Sequence, residues 1–186
     1  LSYLSSIPNM HIMAPKNKWE LSDMLKFAVE FDAPIAIRYP RGEAFDGLKE
    51  YRKPIRYGSA EWIYEEDEIA ILAVGSMMKT ALTVYEKLKA EGYNCSLCNA
   101  RFVKPIDTDM VDKAATHKVI VTLEENVLSG GFGEKVCNYM KDKNYTNSLV
   151  MIGIPDEYVE HGNVDELRKE IGIDADSIIK RIKEAL

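Results

Sequence analysis

The sequence predicts an α/β protein whose mainly parallel sheet carries helices on both faces. Apolar runs rich in β-branched residues alternate with amphipathic runs along most of the chain, and this alternation is typical of parallel sheets. The runs "IAIR" and "EIAILAVGS" are apolar without clear alternation, as expected of strands that are covered on both faces. Sheets of this kind bind their ligands at the carboxyl ends of the strands.

The first 67 residues predict a strand, a helix and a second strand, followed by a linker. The apolar piece "NMHIMAP" closes at Pro15, and "KNKWELSDMLKFAVEF" after it predicts an amphipathic helix. "IAIR" is the second strand, and the charged, turn-rich segment 43–67 predicts a linker with a strand or hairpin. The inward positions of the helix have helical spacing, and they are Leu21, Met24, Leu25, Ala28 and Phe31.

A more regular series of elements follows residue 67. "EIAILAVGS" predicts a strand, and "MMKTALTVYEKLKAEG" predicts a helix with Gly92 as its C-terminal cap. Strand "NCSLCNA" is followed, after "RFVKPID", by helix "TDMVDKAATH", strand "KVIVTLEE", helix "GGFGEKVCNYMKDK" and strand "SLVMIGI". Two helices, "VDELRKEIG" and "DADSIIKRIKEAL", complete the series, and Asn163 with Glu166 predicts an N-cap resembling a capping box.

The composition excludes several classes of partner. The chain has 186 residues, a net charge of -6 and an isoelectric point near 5.2, so we expect neither nucleic acid nor an anionic membrane to bind it. The longest uncharged apolar run, residues 69–74, is far shorter than the ~20 residues of a membrane span, and no cleavable signal precedes it. We therefore expect a cytoplasmic protein whose ligands are small molecules or other proteins.

The three cysteines predict no metal or redox site. Cys95 and Cys98 have C-x-x-C spacing, but they lie in a predicted strand, where positions three apart face opposite sides. Cys137 lies on a helical pattern and is expected to be a small buried thiol in a reducing compartment.

The stretch "RYPRG" at the end of the second predicted strand is the first candidate site. Pro40 ends the strand and Gly42 permits a turn, so Arg41 is expected beyond the carboxyl end. A guanidinium suits phosphate or carboxylate, which makes an oxyanion-binding Arg41 one interpretation. The other is an exposed arginine paired with Glu43 or another acid, and such surface pairs are common.

Two further segments favour structural roles. In "TLEENVLSGGFGEKV", Glu124 and Glu125 would repel an anion, and "GGFG" lacks the spacing of a nucleotide-binding turn, so a structural or interface role is favoured over catalysis. In "IPDEYVEHG", Asp156, Glu160 and His161 lack the ligand count of a zinc site, and a solvated loop or subunit contact is favoured.

Five motifs together resemble the 1-deoxy-D-xylulose-5-phosphate synthase family of transketolase-like thiamine diphosphate enzymes. They are "IPNMHIMAP", "IAIRYPRG", "NARFVKPID", "EENVLSGGFG" and "IPDEYVEHG", and the match spans the whole chain. The resemblance is to the carboxyl-terminal part of the family. It implies an enzyme that uses thiamine diphosphate and Mg²⁺ to decarboxylate pyruvate and join the two-carbon unit to glyceraldehyde 3-phosphate, in a product that feeds isoprenoid, thiamine and pyridoxal synthesis.

The resemblance also implies roles for individual residues. Arg41 corresponds to the arginine that holds the phosphate of glyceraldehyde 3-phosphate, whereas Arg38 has no such counterpart and is expected to brace the strand end. The family's metal- and diphosphate-binding domain, its cofactor-activating acid and an "HxGxFD" histidine segment precede the part that this chain matches. We therefore expect no catalytic, cofactor-binding or metal-binding residue within the chain, and no activity of the chain alone.

The resemblance implies a domain organisation as well. Residues 1–45 correspond to the end of a pyrimidine-binding domain, 46–65 to a linker and 66–186 to a transketolase C-terminal domain, in an enzyme expected to be a homodimer. Two alternatives stay open. One is a beta-subunit-like partner in a two-chain thiamine diphosphate enzyme, and the other is a non-catalytic module for dimerisation or regulation.

Overall fold

The computed structural model describes all residues from 1 to 186 and contains seven helices and eight strands. In chain order the elements are α1 (Ser2–Ser5), β1 (His11–Met13), α2 (Lys18–Glu30), β2 (Ile35–Ile37), β3 (Glu61–Tyr64), β4 (Ile69–Ala73), α3 (Met77–Ala90), β5 (Cys95–Asn99), β6 (Phe102–Lys104), α4 (Thr108–Ala114), β7 (Val119–Val127), α5 (Phe132–Asp142), β8 (Ser148–Ile154), α6 (Val164–Glu170) and α7 (Ala175–Glu184).

The main sheet has five strands in the order β3-β5-β4-β7-β8. Strands β5, β4, β7 and β8 are parallel to their neighbours, and only the edge strand β3 is antiparallel. Helices α3 and α7 pack on one face, where Leu88 and Ile182 join the core, and α4 and α5 pack on the other, where Val111 and Val136 do so. The predicted α/β class is confirmed, with a mixed sheet that is parallel in four of its five strands.

A second sheet has three strands in the order β2-β1-β6, and it joins two strands of the first 45 residues to a strand from the middle of the chain. Strand β1 pairs with β2 in parallel and with β6 antiparallel, so that Ile12 lies opposite Lys104 and Met13 opposite Phe102. Strand β6 was not predicted, because its three residues stand inside "RFVKPID", which has no strand pattern of its own. The residues of β2 are half-buried, so the expectation that this strand is covered on both faces was wrong.

Several local predictions can be compared with the structure. Gly92 has a φ of 93° after α3, as its capping role requires, and the Asn163 side chain caps α6 by accepting a hydrogen bond from the Asp165 amide. In α2, Leu25 is 51% exposed although it was expected to face inward, and Glu20 is buried in its place. The cysteines Cys95 and Cys98 belong to the cores on opposite faces of the sheet, as predicted, whereas Cys137 is only half-buried.

A buried ion network joins the first 45 residues to the rest of the chain. Lys16 Nζ lies 3.0 Å from Glu20 Oε1 and 2.6 Å from Glu61 Oε2. Arg101 contacts the same two carboxylates at 2.8 and 2.9 Å, and Asn99 Nδ2 donates to Glu20 at 2.9 Å. Two cations therefore balance two carboxylates, and all four charged side chains are at most 2% exposed. We call these five residues the Glu20 network.

None of the helices combines the length and the apolar character that crossing a membrane would require.

Candidate functional site

A cleft of about 720 Å³ lies between the turn after β2 and the main sheet. We call it the Arg41 cleft. Its lining includes Ser76, the N-cap residue of α3 beyond the carboxyl end of β4, and Arg168 of α6. The cleft thus lies at the edge of the parallel sheet where ligands of α/β proteins bind. Its charged lining residues are Lys16, Arg41, Glu43, Asp46, Lys79 and Arg168.

Arg41 lines this cleft as an exposed side chain that takes part in none of the protein's ion pairs. The surface pair with Glu43 that the sequence allowed is therefore not formed. Gly42 follows with a φ of 111°, in the region that favours glycine, so the chain turns sharply beside the guanidinium. All five donor groups of Arg41 are left without a protein acceptor and are therefore available to a ligand.

The cleft is locally cationic although the chain is acidic. Four of its charged lining side chains are cations and two are acids, but Glu20 and Glu61 balance Lys16 and Glu125 balances Arg168. Arg41 and Lys79 are therefore the unpaired cations of the cleft, in a chain whose overall charge is -6. One of the two acids, Asp46, already forms an ion pair with Lys18 at 2.6 Å. Charge of one sign that lines a cleft focuses the field there, so an anion is attracted to this place on the surface.

A cluster of four side chains stands beside the cleft, with Glu125 at its centre. Arg38 donates to Glu125 Oε2 at 3.1 Å and to Ser76 Oγ at 2.9 Å. The Ser76 hydroxyl donates to Glu125 Oε2 at 2.7 Å, and Arg168 donates to Glu125 Oε1 at 2.6 Å. Burial opposes the ionisation of Glu125, but the hydrogen bonds from Arg168 and Ser76 and the charge of Arg168 outweigh it and lower the pKa. We call these residues the Glu125 cluster.

The neighbouring acid, Glu124, does not belong to this cluster and instead caps the start of α5. Its carboxylate accepts hydrogen bonds from the backbone amides of Phe132 and Gly133, both at 2.8 Å, at the start of α5. Burial raises the pKa of Glu124 above its ordinary value. A Cβ atom at Gly131 would lie 2.4 Å from Glu124 Oε2, so glycine is required for this close approach. These contacts support the structural interpretation of the "EEN" and "GGFG" segments.

Family models identify the architecture around this cleft. The model of the family "Transketolase, C-terminal domain" matches residues 58–178, and the model "Transketolase, pyrimidine binding domain" matches residues 1–45. This chain belongs to the transketolase family. The Arg41 cleft therefore lies where the pyrimidine-binding match, which supplies Arg41, meets the C-terminal match, which supplies Lys79 and Arg168.

Curated relatives in this family confirm the resemblance along the whole chain. The 1-deoxy-D-xylulose-5-phosphate synthase of Lachnoclostridium phytofermentans is 45% identical over 98% of this chain and 29% of its own length. The synthases of Clostridium tetani and Aquifex aeolicus are 44% and 41% identical over 100% of this chain and 30% of theirs. The chain thus spans less than a third of the length of these relatives.

Solved transketolases share the fold. A structure titled "Split gene transketolase, inactive beta4 tetramer" superimposes with a TM-score of 0.91 at 25% identity, over 100% of this chain and 60% of the other. The transketolase of Campylobacter jejuni has a TM-score of 0.74 at 17% identity, over 98% of this chain and 27% of the other, and at this identity it shows the fold alone.

The remaining sequence candidates lie away from the cleft. The segment from Asp156 to His161 is largely exposed, and the structure has no group of three or more His, Cys, Asp or Glu side chains that could hold a metal ion. The two other histidines of the chain have structural contacts as well, and His11 packs edge-on against Phe31. His117 is buried and lies 2.8 Å from Ser96 Oγ through Nε2, so its contacts are structural.

Sequence reasoning missed three residues of this transketolase cleft. Lys79 and Arg168 lie on helices whose patterns simply place them on a solvated face, and Lys16 precedes α2 with no motif around it. Their only common property is that the fold brings them to one cavity. A search for unpaired or clustered cations around a strand end would find them in a structure, but no spacing in the sequence does so.

Proposed function

We propose that this chain is the carboxyl-terminal portion of an enzyme that condenses pyruvate, with decarboxylation, and glyceraldehyde 3-phosphate to 1-deoxy-D-xylulose 5-phosphate. The product would serve isoprenoid, thiamine and pyridoxal synthesis. Support comes from curated relatives of this name that match 98–100% of the chain at 41–45% identity. The observation that carries the proposal in the structure is the unpaired Arg41 in a cationic cleft at the carboxyl edge of the sheet.

In this proposal Arg41 binds the phosphate of glyceraldehyde 3-phosphate. A guanidinium presents a planar fork of donors to phosphate oxygens, and such charge-assisted hydrogen bonds are about twice as strong as neutral ones. The surplus of cations in the cleft favours the same anionic group. Arg41 thereby selects the phosphorylated acceptor and holds it in place, while pyruvate, which has no phosphate, does not depend on it.

Thiamine diphosphate and Mg²⁺ are the proposed cofactors of the complete enzyme. The cofactor supplies an electron sink for the carbon that is freed by decarboxylation. Mg²⁺ is commonly held by one or two carboxylates together with water and phosphate oxygens, and the resemblance places the family's metal- and diphosphate-binding domain in the part that precedes the residues this chain matches. We therefore assign no cofactor-binding, metal-binding or catalytic residue here, and Arg41 is the substrate-binding residue.

The test is the variant Arg41→Ala in the complete enzyme, with the KM values for both substrates measured separately. Loss of a charge-assisted phosphate contact costs roughly 1.5–3 kcal/mol, so the KM for glyceraldehyde 3-phosphate should rise about ten- to a hundred-fold. The KM for pyruvate should change far less. Arg41→Lys should recover only part of the loss, because it keeps the charge without the fork.

A matched control is Arg181→Ala, which removes another exposed arginine without an ion pair, on α7 and outside the cleft lining. Both KM values of this variant should equal those of the parent. An equal rise in both KM values for Arg41→Ala would contradict the phosphate assignment.

A second candidate is a beta-subunit-like role in a two-chain thiamine diphosphate enzyme. The observation that favours it is the TM-score of 0.91, over 100% of this chain, with a structure whose title describes a split-gene transketolase. An intact-mass measurement on the protein from its source decides between one long chain and two shorter chains. We further propose that the enzyme is cytoplasmic and that, if it is one long chain, it assembles as a homodimer.

A further inference from the structure

The Glu125 cluster connects segments that are far apart in the sequence. Arg38 directly follows β2, Ser76 directly precedes α3, Glu125 lies near the end of β7 and Arg168 lies on α6. All three partners donate to one carboxylate, at 3.1, 2.7 and 2.6 Å. A single side chain therefore fixes the relation between the pyrimidine-binding part and the C-terminal part at the edge of the cleft.

Two members of the cluster, Ser76 and Arg168, themselves line the Arg41 cleft. Arg168 gives one N–H to Glu125, and its Nε is buried without a hydrogen-bond partner. A guanidinium has five donors, so this arginine has donors left for a ligand in the cleft. Its side chain is 25% exposed, which leaves it accessible from that side. Without the Glu125 carboxylate, the long Arg168 side chain would have many rotamers available and would no longer be held in its position at the cleft.

The cluster also controls the turn that carries Arg41. Arg38 is held at both ends, because its backbone amide donates to Met13 at 2.8 Å in the three-stranded sheet and its guanidinium contacts Glu125 and Ser76. Only Tyr39 and Pro40 separate it from Arg41, and proline fixes its own φ and restricts the residue before it. The direction in which Arg41 leaves the strand is therefore set by the anchored Arg38.

We propose that Glu125 is a positioning residue for phosphate binding: it orients Arg168 directly, and it orients Arg41 through Arg38, so that both guanidiniums face the same anion. This inference rests on the proposed function of the cleft. The cluster holds two cations and one carboxylate and thus keeps a net positive charge beside the ligand. Glu125 itself touches no substrate in this arrangement and acts through the arginines.

The test is Glu125→Gln in the complete enzyme, which keeps the shape of the side chain and removes its charge. The KM for glyceraldehyde 3-phosphate should rise about ten-fold, as expected for the loss of one charge-assisted contact, whereas the KM for pyruvate and the kcat at saturation should stay within about two-fold of the parent. Glu125→Asp keeps the charge on a shorter side chain, so its KM for glyceraldehyde 3-phosphate should lie between those of the parent and Glu125→Gln.

Hydrogen–deuterium exchange gives a readout that does not depend on turnover. Backbone amides of residues 38–46 should exchange faster in Glu125→Gln, because the anchor of Arg38 is weakened. The matched control is Glu66→Gln, which removes a partly buried carboxylate paired with Lys89 at 2.5 Å. Glu66 precedes the amino end of β4, far from the cleft at the carboxyl end, and its loss should change neither KM nor the exchange of this segment.

The outcomes separate this inference from the function on which it rests. If Arg41→Ala raises the KM for glyceraldehyde 3-phosphate selectively and Glu125→Gln does not, the positioning role is wrong and the phosphate site stands. If Arg41→Ala has no selective effect, both fail. Should Glu125→Gln fold poorly, Arg38→Lys replaces it: this variant keeps the charge but cannot bridge Ser76 and Glu125, and an unchanged KM would then overturn the inference.

Discussion

The Glu20 network provides a sharp test of the reasoning from buried charge, through the variant Glu20→Gln. Glu20 accepts hydrogen bonds from the backbone and side chain of Lys16 and from Asn99 and Arg101, at 2.7 to 3.0 Å. Glutamine keeps the shape and one oxygen acceptor, but it leaves Lys16 and Arg101 with only Glu61 to balance them. The variant therefore buries one uncompensated positive charge.

Breaking a buried ion pair by removing one partner costs about 3–5 kcal/mol. Since glutamine retains part of the hydrogen bonding, we expect the lower end of this range, about 3 kcal/mol. With a denaturant slope of about 2 kcal/mol per molar urea, the unfolding midpoint should fall by about 1.5 M. Urea unfolding followed by circular dichroism measures this shift. Asp46→Asn is the control, because it breaks an exposed pair with Lys18, whose side chain is 51% exposed, and should cost at most about 0.5 kcal/mol.

The pH dependence of the stability difference between Glu20→Gln and the parent adds a second test. Burial raises the pKa of Glu20, but the charges of Lys16 and Arg101 outweigh this effect and lower it below the ordinary value of 4.5. A carboxyl group whose folded pKa is lowered stabilises the fold above its unfolded pKa, and this contribution is lost as the pH falls through the folded value. The difference in the free energy of unfolding between Glu20→Gln and the parent should therefore be constant near neutral pH and become smaller below pH 4.5. A midpoint unchanged by the substitution, or a gap that does not narrow in acid, would refute the reasoning.

The remaining predictions concern activity and assembly. The chain alone, given pyruvate, glyceraldehyde 3-phosphate, thiamine diphosphate and Mg²⁺, should make no deoxyxylulose phosphate, because the resemblance places the metal- and diphosphate-binding domain and the cofactor-activating acid in the part of the family that precedes the residues this chain matches. Mass spectrometry of the product and calorimetry with thiamine diphosphate check this, and turnover or micromolar cofactor binding would mean that the active site has been misplaced. If the homodimer proposal holds, light scattering during size-exclusion chromatography of the complete enzyme should give twice the mass of its single chain, and a clean monomer at micromolar concentration would count against it.

The regular elements of the main sheet were predictable because their signals are local. Strand β4 is a continuous apolar run whose five residues are all buried, and α3 has a helical spacing that ends at a glycine with positive φ. The alternation of strands and helices also predicts that these strands are mainly parallel, but it does not specify their order. The antiparallel edge strand β3 was expected only as a strand or hairpin in a linker, because nothing in "EWIY" indicates its partner.

Elements that depend on distant partners could not be predicted in this way. Strand β6 exists because Phe102 and Lys104 pair with β1, about ninety positions earlier in the chain. Leu25 has the spacing of an inward residue in α2 and is exposed, while Glu20 on the same helix is buried because Lys16 and Arg101 balance its charge. Helical periodicity assigns residues to a face by hydrophobicity alone, and a charge that is neutralised from another segment breaks that rule.

The candidate site shows the same division between local and distant signals. The motif "RYPRG" placed Arg41 beyond a strand end, but physical reasoning from the sequence favoured an exposed ion pair, and only the resemblance to a family favoured phosphate. The structure adds that Arg41 is unpaired and that Lys79 and Arg168 join it from helices more than thirty residues away in the chain.

The net charge of -6 argues against large polyanions. It does not bear on a small phosphorylated ligand, because the field that such a ligand meets is set by the few side chains within a Debye length of about 8–10 Å. The charge that matters for binding here is therefore a property of the cleft, and the fold alone assembles it.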